Sequence, residues 1–206
     1  MRVLLVHGLG RTPVSCLRLA RALQRSGCEV ELFPYVAFAQ TYEAIVRRLV
    51  ARIERIAARG EYGVVGHSLG GVLLREALAR VESPPPRRLV MIGTPNRPPR
   101  SARLASGFPP FRWFAGECGA HLTSAEFYER LPRPDVPYTL IAGTRGLEWR
   151  WTPFRGEPND GLVAVSEARI DDADEVLTFP VAHTFMMGHP AVQGAVRAAL
   201  GLAHAP

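Results

Sequence analysis

Short apolar runs alternate with longer amphipathic ones along the whole chain, and few folds accommodate that rhythm. RVLLVHG (2–8), CEVELFPY (28–35), YGVVGHS (62–68), RRLVMIGTP (87–95), VPYTLIAGTRG (136–146) and DEVLTFPVAHTF (174–185) each read as a strand running into its exit loop. Helix-length segments separate most of them. In TYEAIVRRLVARIERIAARG (41–60), Ile45, Leu49, Ile53 and Ile56 recur at helical spacing, and Gly60 closes the run. Residues 13–27 and 190–202 read the same way, and 69–82 continues as helix until SPPP (83–86) forbids it. Strands joined by helices imply right-handed crossovers and a mainly parallel sheet. Strands apolar throughout imply burial on both faces. The expected fold class is α/β, with about six strands and helices on both faces, and the 206 residues suit one domain, 1–206.

Residues 96–135 break the rhythm, with six prolines and an aromatic cluster at Phe108, Phe111, Trp113 and Phe114. One short helix is expected there, SAEFYERL (124–131). A long irregular insertion is either functional, as a lid or a wall of a site, or a loop whose aromatics pack as a satellite cluster. Both readings stay open.

Composition excludes several classes. Hydrophobic residues make up 47% and charged residues 21%, which argues against disorder and coiled coil. No apolar run reaches the roughly 20 residues of a membrane span. The first strand's apolar core, VLLV, is too short for a secretory signal, so a cytoplasmic location is expected. Cys16, Cys28 and Cys118 are odd in number and lack metal-like spacing, so they read as small buried thiols. The formal charge is +6, and every basic residue is Arg. Arg47, Arg48, Arg52, Arg55 and Arg59 read as a solvated helix face, and no nucleic-acid motif accompanies them. The same charge allows weak attraction to an anionic membrane surface.

The chemistry concentrates at Gly66-His67-Ser68-Leu69-Gly70, a G-x-S-x-G pentapeptide between a buried strand and a helix. A lone serine among glycines could be an incidental turn residue. At a sharp strand-to-helix turn, however, a nucleophile needs small neighbours for clearance, and the helix start offers free N–H groups to an oxyanion. A serine hydroxyl needs a base. His67, adjacent on the chain, is expected to turn away from Ser68, and His189 precedes Pro190 at a helix start. His183, in the exit loop of the last strand, is the chosen base. Its carboxylate partner must come from the same end of the sheet, which selects Asp160 with Glu157 as runner-up.

The order Ser68, Asp160, His183 resembles the small bacterial lipase/esterase branch of the α/β-hydrolase fold. VHGLG is similar to that family's oxyanion loop, GHSLGG to its nucleophile elbow, NDGLVAVSEAR to its acid loop, and HTFMM stands where it has its base. The resemblance implies a minimal form of the fold and an oxyanion hole built from the backbone N–H groups of Leu9 and Leu69. His7 and Gly8 would shape the loop that presents Leu9. No cofactor or metal is implied, and no calcium site is evident. The expected function is a serine ester hydrolase acting on a small-molecule or lipid ester with an apolar acyl group. The alternatives are a thioesterase, amidase or acyltransferase on the same residues, or a non-catalytic binding protein that keeps the fold.

Overall fold

The computed structural model describes residues 1–105, 107, 109–147 and 149–202, except for the side chains of 109–114. Phe108 and the side chains of Phe111, Trp113 and Phe114 therefore lie outside the described residues. The strands are β1 (Arg2–Val6), β2 (Glu29–Phe33), β3 (Tyr62–His67), β4 (Leu89–Ile92), β5 (Tyr138–Gly143) and β6 (Val176–Phe179). They form one sheet in the order β2-β1-β3-β4-β5-β6, and every pairing is parallel. The expected six-stranded α/β architecture is what the chain adopts. β2 stops at Phe33 because Pro34 has no N–H to continue the ladder.

Two apolar layers cover the sheet. Along β1, Leu4 and Val6 point into one layer, and Val3 and Leu5 into the other, as the two-residue strand period demands. Helices α2 (Tyr42–Ala57) and α3 (Leu69–Leu78) cover the first face, while α1 (Leu17–Arg25) and α8 (Pro190–Ala199) cover the second. In α2 the anticipated stripe of Ile45, Leu49, Ile53 and Ile56 is fully buried, and each such side chain contributes about 1.5–3 kcal/mol. Thr41 caps this helix by accepting from the Ala44 N–H at 3.2 Å. On its solvent side Arg52 pairs with Glu31 at 3.0 Å, and just past its end Arg59 pairs with Glu29 at 2.9 Å. All three cysteines are free and buried.

The insertion departs from its expected irregularity. It folds as α4 (Arg100–Ala105), α5 (Pro109–Thr123) and α6 (Ala125–Arg130). Pro109 and Pro110 begin a helix rather than break one, since proline suits the first turn, where N–H groups have no partner in any case. Gly116, with φ of 55°, kinks α5 partway along. A short helix, α7 (Val165–Ala168), lies between β5 and β6. Among the described residues, no helix is long and apolar enough to cross a membrane.

Buried Arg75 ties the insertion to the sheet layer. From α3 it donates to Asn96 Oδ1 (2.9 Å) and to the carbonyls of Leu131 (3.0 Å) and Pro132 (2.9 Å). Burial, with no carboxylate beside it among the described residues, lowers its pKa to about 10. Asn96 in turn donates to the Ala168 carbonyl at 2.7 Å.

Candidate active site

Because all six strands run the same way, their exit loops gather along one edge of the sheet. The chain steps from β1 outward to β2, then back across to β3, so the sheet reverses its direction of growth beside β1 and β3. Crevices form at such reversals. A cleft of about 260 Å³ opens there, and its lining includes Ser68, His183, Leu9 and His67.

Ser68 stands between β3 and α3 with φ of 55° and ψ of −125°, a left-handed backbone rare for a side-chain-bearing residue. The glycines around it provide clearance. A Cβ on Gly66 would lie 2.4 Å from the Gly71 nitrogen, and one on Gly70 would lie 2.3 Å from the Val6 carbonyl oxygen. The Ser68 N–H is anchored by the Ile92 carbonyl at 2.9 Å, which fixes the turn to the neighbouring strand. Leu69 is the first residue of α3, where an amide has no partner within the helix.

Leu9 reaches the same place from β1. A Cβ on Gly8 would meet the Ser68 Cβ at 2.9 Å, so the β1 exit loop lies directly against the serine turn. His7 holds that loop: its ring stacks on Tyr35 at 4.1 Å, and its Nδ1 donates to the Gly8 carbonyl at 3.0 Å. The Tyr35 hydroxyl donates to the His7 carbonyl at 2.8 Å. Burial pushes the His7 pKa down, against the bond from its ring to the Gly8 carbonyl.

Asp160 and His183 are brought together as the order of residues suggested. His183 Nδ1 donates to Asp160 Oδ2 at 2.6 Å, and both residues are buried. The other carboxylate oxygen accepts from the N–H groups of Leu162 (2.9 Å) and Val163 (2.8 Å). The backbone is joined as well, with the His183 N–H donating to the Asp160 carbonyl at 2.9 Å. A proton held on Nδ1 leaves Nε2 with its lone pair, the state a general base requires.

Glu157, the runner-up acid, is occupied elsewhere. It accepts from Arg100 at 2.5 Å and from the Ser166 N–H at 3.0 Å. Arg100 also bonds Glu167 at 2.7 Å, which makes a bridge between α4 and the loop carrying Asp160. Burial acts to raise the Glu157 pKa, but the bonds from Ser166 and Arg100 outweigh it and lower it.

His67 is among the cleft residues, and its Nε2 donates to the His183 carbonyl at 3.1 Å, a role its place beside Ser68 in the sequence does not reveal. The two imidazoles lie 4.8 Å apart. Burial, aided by neighbouring His183, lowers the His67 pKa to about 3, so this ring is neutral in ordinary buffers. Sequence reasoning also missed Arg75, since a lone arginine on a helix gives no sign of burial. Most of the remaining cleft wall is apolar, with Leu122 from α5, Pro99, Ala102 and Ala105 from or beside α4, and Val163 from the acid loop, while Arg11 and Ser101 add polar groups. The insertion thus supplies part of the wall.

No curated protein sequence matches the chain. Among solved structures, phospholipase PlaB from Legionella pneumophila, in complex with thio-NAD, is 18% identical with a TM-score of 0.67. That match covers 82% of this chain, which spans only 44% of the phospholipase. The RedJ thioesterase of the prodiginine pathway in Streptomyces coelicolor is 20% identical with a TM-score of 0.60, over 98% of this chain and 90% of that one. An extracellular α/β-hydrolase from a Paenibacillus species matches over 100% of both chains at 17% identity and a TM-score of 0.60. At these identities the likeness is one of fold. The model of the alpha/beta hydrolase family matches residues 3–204, so the chain belongs to that family.

Proposed function

We propose that the protein is a serine ester hydrolase in which Ser68 is the nucleophile, His183 the base and Asp160 its orienting carboxylate. One observation carries this reading: a serine in a strained strand-to-helix turn shares a cleft with a histidine whose Nδ1 is bonded to a buried aspartate. Ser68 Oγ attacks the acyl carbonyl carbon while His183 Nε2 takes its proton. The Leu9 and Leu69 amides donate to the oxyanion of the tetrahedral intermediate. As that intermediate collapses, His183 returns the proton to the departing alcohol and an acyl-enzyme remains. Water, activated by the same histidine, then releases the acid and restores the serine. Asp160 keeps the proton on His183 Nδ1 throughout and stabilises the imidazolium.

The apolar wall of Leu122, Ala102, Ala105 and Val163 favours an aliphatic acyl group. A thioester would react by the same steps, because the pocket and not the three residues selects the leaving group. Matched p-nitrophenyl esters and thioesters of increasing acyl length, assayed with wild type and Ser68→Ala, test the assignment. The reading predicts ester hydrolysis that Ser68→Ala abolishes. Thioester turnover well above ester turnover would move the assignment to a thioesterase, and equal activity in both proteins would overturn the nucleophile.

A further inference from the structure

Helix α4 has two occupied sides. Ser101, Ala102 and Ala105 face the acyl cleft, whereas Arg103 and Leu104 line a second, shallower groove of about 670 Å³. The far wall of that groove is the loop after β5, with Arg150, Trp151 and Arg155. The loop is held from inside. Phe154 is buried, Thr152 Oγ1 donates to the Trp149 carbonyl at 2.7 Å, and Asn159, next to Asp160, donates to the Leu147 carbonyl at 3.1 Å. Its large apolar side chains nevertheless face solvent: Trp151 is 77% exposed, Leu147 56% and Trp149 54%, and Leu104 across the groove is 67% exposed. The two tryptophan rings lean on each other at 4.9 Å.

Charge follows the same surface. Between Arg145 and Arg155 the sequence carries three arginines and one acid, Glu148, in a chain of net charge +6. The guanidinium groups of Arg150 and Arg155 have neither an ion pair nor a side-chain hydrogen bond among the described residues. An anchored loop that presents tryptophan and leucine outward, interleaved with arginines that outnumber its acids, has the composition of an interfacial surface. Indole rings settle at the headgroup level, and arginine meets anionic lipid there. The patch continues to the cleft through Leu162, which is exposed, lines the cleft and is bonded through its carbonyl to Ser101 of α4.

We infer that the α4 and β5-exit surface around Trp149, Trp151, Arg150 and Arg155 docks the protein on a bilayer that carries anionic lipid, with the acyl cleft opening beside the docked face. The docking rests on the surface alone; its role in delivering an acyl ester rests on the hydrolase reading above. Apolar exposure alone would make the patch equally suited to neutral lipid, and the arginines make it selective for anionic lipid.

The test is co-sedimentation with phosphatidylcholine vesicles prepared with and without phosphatidylglycerol, combined with tryptophan quenching by brominated lipid. Wild type should partition onto the anionic vesicles, less so as salt is raised, and show quenched emission. R150E/R155E should bind at least about 25-fold more weakly, at about fivefold for each arginine charge lost, before the repulsion of the added carboxylates. W149A/W151A should lose the quenching. Both variants should hydrolyse a soluble short-chain ester like wild type, which confirms their fold. Equal partition onto neutral and anionic vesicles, no partition, or binding unchanged by either variant would overturn the docking. So would a dimer that R150E/R155E dissolves, or a fluorescence shift with inorganic phosphate in the absence of any vesicle binding. Because binding needs no turnover, the two readings fail separately: a protein that cleaves soluble ester without binding vesicles sinks only the docking, and one that binds without cleaving sinks only the hydrolase.

Discussion

His67 Nε2 donates to the backbone carbonyl of His183 at 3.1 Å, so the residue before the serine holds the residue proposed as its base. The bond links the end of β3 to the β6 exit loop and adds a further tie on His183 to those from Asp160. Replacing His67 with Ala should leave His183 present but loosely placed, lowering kcat on the order of 10- to 100-fold with little change in KM. His67→Gln, which can present an amide N–H to the same carbonyl, should recover part of the loss. A kcat unchanged in His67→Ala would contradict the positioning role.

Asp160 and Glu157 stand on one loop but do different things. Asp160→Asn should cost roughly 10⁴-fold in kcat, since the amide favours the wrong imidazole tautomer. Glu157→Gln disturbs only the bond to Arg100 and the Ser166 N–H, and its effect on kcat should be far smaller. Steady-state kinetics of the two variants separate the roles, and the reverse ranking would contradict the assignment of Asp160.

Arg75 is the fastening between α3, Asn96 and the end of the insertion. Arg75→Met fills much of the same volume but leaves buried carbonyls unpaired, and should destabilise by roughly 2–4 kcal/mol in urea unfolding. Arg75→Lys should rescue little, because one ammonium cannot span acceptors that a planar guanidinium reaches together. A stability equal to wild type in Arg75→Met would show that these bonds are offset by burial.

Acid should unfold the protein earlier than its surface carboxylates alone require. The unfolded chain protonates His67 near pH 6.5, whereas the folded ring, desolvated and beside His183, resists protonation until about pH 3. The unfolded state therefore binds more protons in that window, and stability falls as pH drops through it, by up to ~1.4 kcal/mol per pH unit from this ring. His7, also lowered by burial, adds in the same direction. Urea midpoints measured below pH 6.5 check the slope, which His67→Gln should flatten. A midpoint constant through the window would contradict the burial of neutral imidazoles.

The inner strands β1, β3 and β4 are legible because parallel strands buried on both faces write themselves as unbroken apolar runs, whereas the edge strands β2 and β6 are partly exposed and are marked mainly by the prolines that end them. Ser68 and its glycines were legible for a related reason: a turn this tight tolerates few residue types, and the distances from Gly66 and Gly70 to neighbouring backbone explain why. The insertion reads as irregular because of its six prolines, although Pro109 and Pro110 start α5 and Gly116 only bends it. His67 and Arg75 act through carbonyls distant in the chain, at His183 and at Leu131 and Pro132. A backbone carbonyl has no residue signature, so partners of that kind leave no trace in sequence spacing.

A fluorophosphonate probe reacts with an activated serine whatever the natural ester, and so reads out whether Ser68 is the nucleophile. Peptide mass spectrometry after labelling should find the adduct on Ser68 in wild type, no adduct in Ser68→Ala, and slowed labelling in His183→Ala. Wild-type protein that stays unlabelled, or an adduct that persists in Ser68→Ala, would contradict the account.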